Sequence, residues 1–156
     1  MGAGGAASAA ECALTFTFTT IDNGGRYSPS NVSAVWVTDA QNAFVKTLEE
    51  NGYIRQVHLT AWEQAANGNT VDAVTGATNR SPRAHSATWD CSDVHHAPVP
   101  PGTYTINAEF ATDNGSGFFG GVAPPLLQVP FQVGAGPQSV APPDAQFFTG
   151  IGLTSP

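Results

Sequence analysis

Strict alternation in CALTFTFTT, residues 12–20, limits the fold more than any other feature of the chain. Leu14, Phe16 and Phe18 fall on one side, and Thr15, Thr17 and Thr19 on the other. A period of two belongs to a strand buried on one face. Such a strand cannot bury its apolar face alone and needs a second layer.

The same reading repeats along the chain. NVSAVWVTD (31–39) and AFVKTLEE (43–50) form a predicted hairpin across the polar turn Ala40-Gln41-Asn42. HSATWDC (85–91) alternates, and TYTINAEFATD (103–113) turns Tyr104, Ile106, Ala108 and Phe110 inward. LLQVPFQVG (126–134) carries Pro130, which assigns it to an edge or a bulge. QFFTGIGL is the predicted last strand. Between them lie the proline turn SDVHHAPVPPG, the glycine-rich loop NGSGFFGGVAPP and the connection GAGPQSVAPPDA. The period breaks once, at LTAWEQAANG. There Thr60-x-x-Glu63 has capping-box spacing and Asn67-Gly68 is a stop signal, predicting a short helix over 61–66. The predicted fold class is all-β: an immunoglobulin-like β-sandwich of about seven strands with one short helix.

Composition agrees. Seventeen glycines and twelve prolines supply turns, and charged residues make up 11% of the chain, under half of the usual ~25%. The net charge is −7, and Arg26, Lys46, Arg55, Arg80 and Arg83 are the whole basic complement. Nucleic acid is thereby excluded as a partner, because neutralising phosphates takes a stripe of basic side chains. No apolar run approaches the ~20 residues of a membrane-spanning helix. MGAGGAASAA is no signal peptide and reads as a flexible linker over 1–11, ahead of a single domain over 12–156. It is expected to follow a removed leader, either a signal peptide or a lipoprotein leader, so that the protein is periplasmic or extracellular, and lipid-anchored in the case of the lipoprotein leader.

Cys12 and Cys91 are the two cysteines. In an exported domain such a pair is expected to form a disulfide, and closing so long a loop is worth roughly 4 kcal/mol in the chain-entropy model. The alternative is two buried thiols.

Residues 72–83, DAVTGATNRSPR, fit neither strand nor ordinary turn. They gather Asp72, Thr75, Gly76, Ala77 and Thr78 beside Arg80 and Arg83. Read as a turn, Asp72 caps the segment and Gly76 supplies a positive φ. Read as chemistry, it offers an exposed hydroxyl, small neighbours, and guanidinium donors suited to a phosphate.

TWDCSDVHHAPVPPGTYTINAEF resembles the Trp-Asp…Asp…Val-Pro-x-Gly-x-Tyr pattern of immunoglobulin-like domains of the flagellar-hook cap and similar exported proteins. AVWVTDAQNAFVKTL, LTAW, DAVTGAT, TWD and GTYTINAE, taken in order, resemble a family of predicted periplasmic bacterial proteins of unknown function. That family usually has Gly after Trp-Asp, where this chain has Cys91. DAVTGAT is in turn similar to the flavinylation motif Asp-x-x-Ser/Thr-Gly-Ala-Ser/Thr of FMN-binding domains of Rnf-type and sodium-pumping redox complexes. The resemblance implies that a flavin transferase esterifies FMN onto Thr78, with Asp72, Thr75, Gly76 and Ala77 completing the motif. It implies an electron-transfer flavoprotein with an unknown redox partner, and protein made without the transferase is expected to lack the flavin.

Two other readings compete. One is a non-enzymatic, immunoglobulin-like binding or structural module whose loop is only a turn. The other is a periplasmic metal-binding protein using His95, His96, Asp90 and Asp93. Adjacent histidines on extended backbone point apart, which weakens it. His58 and His85 show no evident partner in the sequence. Trp36, Trp62 and Trp89 are expected in the core, with Trp62 the best placed to stack on a cofactor. No hydrolase motif is present.

Overall fold

The computed structural model describes residues 12–113 and 124–156. The linker expected over 1–11 and most of the glycine-rich loop expected over 114–125 lie outside these residues. Two sheets form a β-sandwich with one short α-helix. All seven expected strands are present: β1 (Leu14–Thr20), β2 (Ser30–Thr38), β3 (Phe44–Asn51), β6 (Arg83–Trp89), β7 (Gly102–Ala111), β8 (Leu126–Val133) and β10 (Phe148–Ser155). Three short strands join them: β4 (Val74–Gly76), β5 (Asn79–Arg80) and β9 (Gln138–Val140). Segments of two or three residues are too brief for periodicity to detect.

The first sheet runs β6-β1-β10-β9 and the second β4-β3-β2-β7-β8, with β5 also paired to β2. Long strands pair antiparallel, while β4 runs parallel to β3. Pro130 lies on the edge strand β8 opposite Thr105, where its missing N–H costs the sheet no inner bond. In the β2–β3 hairpin, Asp39 Oδ1 accepts from the N–H groups of Gln41 (2.9 Å) and Ala43 (2.8 Å), and Asn42 takes a φ of 63°. Asn tolerates that left-handed position better than most residues.

The main core lies between the sheets. Leu14, Phe16 and Phe18 meet Val35, Val37, Ile106, Phe110, Val129, Phe131 and Leu153 there. Tyr104, Ile106, Ala108 and Phe110 are all buried, as their alternation requires. A second apolar cluster covers the outer face of the second sheet, where Val32, Ala34 and Trp36 of β2 pack under Leu59, Trp62 and Ala66. The cover comes from a 3-10 turn (Tyr53–His58) and α1 (Thr60–Ala66). Central strand β2 is therefore buried on both faces.

The helix begins differently from its sequence signal. Leu59 occupies the N-cap position without a side-chain cap, and Thr60 and Glu63 form no capping box. The carboxylate of Glu109 on β7 instead accepts from the N–H of Ala61 (3.0 Å) and of Trp62 (2.9 Å). Asn67 then ends the helix in the left-handed conformation, as expected.

Cys12 and Cys91 form a disulfide, with Cα atoms 5.8 Å apart. The β1–β6 ladder pairs Leu14 with Trp89, so the bridge extends that ladder two residues beyond its last pair. Cys91 sits at φ 60°, a conformation suited to the glycine usual at this turn. The rest of the turn is held by Asp90 accepting from Ser92, Asp93 from His95 and Ala97, and Tyr104 donating to the Pro100 carbonyl at 2.7 Å.

Two predictions follow from this packing. Reducing the bridge, which closes a separation of 79 residues, is expected to cost roughly 2–5 kcal/mol and lower the Tm by about 10 °C. Differential scanning calorimetry with and without reductant measures it, and identical curves would refute the stabilising role. Burial pushes the Glu109 carboxyl up to about 7 from its ordinary 4.5, against the two N–H donors that favour its charge. Between those values the folded chain holds a proton that the unfolded chain has lost. Stability should therefore fall as pH rises through this window and level off above it, by on the order of 2–3 kcal/mol. Urea titrations across the window should show this slope in wild type and a flatter one in Glu109→Gln.

Candidate functional site

The segment 72–83 crosses the end of a strand. β3 pairs with β2 from Ser33 to Thr38, which leaves the first residues of β2 open on that side. β4 lies outside β3, with Glu49, Glu50 and Asn51 opposite Val74, Thr75 and Gly76. The chain then steps over the end of β3, and β5 takes the vacant edge of β2, pairing Asn79 with Asn31 and Arg80 with Ser30. Ala77 and Thr78 form the step, and Thr75, Gly76, Ala77 and Thr78 are all exposed.

Both ends of the step are fastened by side chains that periodicity did not single out. Buried Asn79 donates to Ser33 Oγ (3.0 Å), and buried Ser81 donates to Thr20 Oγ1 (3.0 Å) while accepting from Asn31 Nδ2 (2.9 Å). At the other end Asp72 Oδ2 lies 3.6 Å from Lys46 Nζ and 3.1 Å from His96 Nδ1. Asp72 thus ties the segment to the Trp-Asp turn rather than capping its own turn.

Gly76 is not the positive-φ hinge. Asp72 carries that conformation, at φ 60°, and Gly76 is absent from the left-handed glycines. The need for glycine at 76 is one of space. A Cβ there would lie 2.5 Å from Asn51 Oδ1. Asn51 is itself fixed by donating to Glu49 Oε1 (2.9 Å), which also meets His85 Nδ1 at 2.9 Å. His85, without an evident partner in the sequence, is buried and stacks on Phe18 with centroids 4.7 Å apart. A polar chain thus runs from the first sheet through Glu49 and Asn51 to the glycine of the exposed segment.

Three hollows surround the segment. One, of about 390 Å³, opens between the facing edges of β3 and β6 and includes Lys46, Glu49, Asp72, Asp90 and His96. A second, of about 400 Å³, lies beside Thr75, Gly76 and Ala77 over Glu50. Glu50 is buried with its Oε1 unpartnered, and burial, then the charge of Glu63, raises its carboxyl pKa. A third, of about 190 Å³, has Thr78 in its wall together with Tyr27, Asn31, Val32, Arg55 and Asp113. The Arg55 guanidinium carbon stands 4.2 Å above the Tyr27 ring centre. Tyr27 is held below its usual pKa, first by the Arg26 hydrogen bond and also by Arg55, against partial desolvation. The cation in the wall beside Thr78 is therefore Arg55, from the 3-10 turn. Arg80 and Arg83 are exposed and stand outside that wall. No local signal links Arg55 to Thr78, because they lie on separate elements.

Trp62 is fully buried, with its indole N–H donating to Thr47 Oγ1 (3.0 Å), so it cannot stack on an external cofactor. Trp36 and Trp89 are core residues. Among the described residues no three His, Cys, Asp or Glu side chains group closely enough to hold a metal ion. His96 turns to Asp72, and Asp90 and Asp93 are engaged in the turn.

Thr78 presents an accessible hydroxyl beside a guanidinium, and the buried Oδ1 of Asn31 in the same wall has no partner. Fold and site together define a disulfide-linked β-sandwich that displays a small, hydroxyl-bearing segment at one sheet edge. The chain belongs to the family DUF2271, described as a predicted periplasmic protein, which matches residues 12–135. It is accordingly a periplasmic protein, and no helix among its described residues is long and apolar enough to cross a membrane. No curated protein and no solved structure matches it significantly.

Gly76→Ala is expected to cost about 1 kcal/mol by displacing Asn51. In an Asn51→Ala background the same change should cost at least ~0.5 kcal/mol less, the signature of a coupled pair. Urea unfolding of the four proteins tests this; additive costs would mean that Gly76 is required for another reason.

Proposed function

We propose that this protein is an extracytoplasmic electron-transfer flavoprotein carrying FMN esterified to Thr78. The observation that carries the reading is the placement of the Asp-x-x-Thr-Gly-Ala-Thr segment. Its last hydroxyl is exposed at the step between two edge strands, with small residues before it and Arg55 beside it. A modifying enzyme needs an accessible acceptor on a supported backbone, and a segment paired at both ends supplies that.

The attachment step balances with FAD as donor. The Thr78 Oγ attacks the phosphorus on the FMN side of the pyrophosphate and gives up its proton. The bond to AMP breaks, and AMP leaves. The product is a phosphodiester, heavier than the apo chain by one FMN less one water. Once attached, the flavin supplies one- or two-electron redox chemistry, and the protein supplies attachment, orientation and electrostatics. Asp72 holds the start of the segment through Lys46 and His96. Gly76 lets it lie close to Asn51, and Ala77 keeps the approach to Thr78 narrow-sided. A covalent link also prevents loss of the flavin by diffusion outside the cytoplasm.

Co-expression with a flavin transferase should add one FMN per chain by intact mass and give a fluorescent band after denaturing electrophoresis. Thr78→Ala should abolish both while changing stability by less than ~0.5 kcal/mol. Asp72→Ala and Thr75→Ala should lower incorporation without abolishing it. Full incorporation in Thr78→Ala would move the acceptor elsewhere. An unmodified wild type, with a transferase proven active on another substrate, would remove the flavoprotein reading.

A further inference from the structure

The exposed span that carries Thr78 is fastened at its two ends, and the fastening at its start is made by residues outside the motif. From Val71 to Thr78 no side chain is buried, so apolar packing does not hold the span. At its far end Asn79 and Ser81 are buried and hydrogen-bonded to Ser33, Asn31 and Thr20. At its start Asp72 turns the chain toward β4 with a φ of 60°. A residue other than glycine is strained in that region and stays there where its surroundings fix it. Two side chains do so. Lys46 Nζ on β3 stands 3.6 Å from Asp72 Oδ2, and His96 Nδ1 on the Trp-Asp turn stands 3.1 Å from the same oxygen. Lys46 is 6% exposed and donates to Ser92 Oγ at 3.1 Å. A buried ammonium needs a counter-charge, and Asp72 supplies it. His96 stands on a firm support. Asp93 Oδ1 accepts from the N–H groups of His95 and Ala97, the His96 N–H donates to the Asp93 carbonyl, and the Val99 N–H donates to the carbonyl of the disulfide-bonded Cys91. One carboxylate thus joins β3, the turn after β6 and the entry to β4.

We propose that Lys46 and His96 are positioning residues for the modification of Thr78: with Asp72 they clasp the entry to β4, and the flavin transferase takes the segment only in its clasped form. The proposal rests on the flavin reading and adds to it how the first residue of Asp-x-x-Thr-Gly-Ala-Thr acts, through the fold instead of by contact with the transferase. A short span pinned at both ends has less ordering left to lose on entering an active site than one pinned at a single end. With the clasp open, only a fraction of the molecules present Thr78 in the required geometry. The apparent KM then rises by the inverse of that fraction, while turnover of the bound segment is unchanged. Neither Lys46 nor His96 needs to touch the reacting atoms.

The test times FMN incorporation by intact mass, with FAD and a transferase proven active on another substrate, over a concentration series of each acceptor protein. The acceptors are wild type, His96→Gly, His96→Asn, Lys46→Met, Asp72→Gly and the double variant His96→Gly/Asp72→Gly, each first shown to be folded by circular dichroism. His96 lies at φ 64° and Asp72 at 60°, and glycine suits both, so these changes remove a contact without adding strain. His96→Gly should raise KM about threefold and Asp72→Gly about fivefold, the range of a partly exposed ion pair, with kcat within about twofold of wild type. Lys46→Met should raise KM as well. The double variant should match Asp72→Gly, because His96 then has nothing to hold. His96→Asn should restore the wild-type KM, since its amide N–H can donate from the place of Nδ1. A wild-type KM in either His96→Gly or folded Lys46→Met overturns the clasp and leaves the flavin reading standing. Penalties that multiply in the double variant also overturn it, because the transferase would then read the two side chains separately. A wild type that takes up no FMN overturns the flavin reading and the clasp with it.

Discussion

Burial of β2 on both faces is the constraint from which the rest of the architecture follows. Its inner residues Val35 and Val37 belong to the core between the sheets, while Val32, Ala34 and Trp36 point the other way and need a cover of their own. The 3-10 turn and α1 provide it, and a seven-residue helix is too short to stand without tertiary support. Glu109 gives that support by receiving the first helical N–H groups, and Trp62 adds its bond to Thr47. A carboxylate buried beneath a helix start is expensive to desolvate, which is why its proton affinity rises. The candidate site inherits its position from this docking. After Asn67 reverses the chain, Thr47 Oγ1 donates to the Asn69 carbonyl (2.7 Å) and brings the following segment alongside β3.

A β-sandwich has open lateral edges, and this one closes the side bearing the site with polar contacts. His85 of one sheet meets Glu49 of the other, and Lys46 reaches Ser92 (3.1 Å) as well as Asp72. The disulfide fastens the neighbouring end of β1 to the Trp-Asp turn. The exposed segment therefore rests on a cross-linked rim. That arrangement suits a reading in which one enzyme must approach Thr78 once and a redox partner must approach repeatedly, without disturbance of the core. The two requirements are accessibility at one residue and rigidity immediately behind it. Asn79 and Ser81, buried within three residues of Thr78, supply the second.

The sequence by itself determined the fold class, the seven long strands and the inward faces of β1 and β7, because apolar alternation is local and repeats every two residues. It also marked the edge character of β8 through Pro130, the short helix and the segment carrying Thr78, since each is written in contiguous residues. Only the tertiary structure decided which cap starts α1, that Gly76 answers to Asn51 rather than to a turn angle, and that Asp72 pairs with Lys46 and His96. It also placed Arg55 in the wall of the hollow that contains Thr78, and turned Trp62 from a stacking candidate into core. Each of these depends on residues from separate strands meeting in space. A composition or a local period carries no information about the partner across a sheet, and hydrogen bonds, ion pairs and cavities are made by such partners.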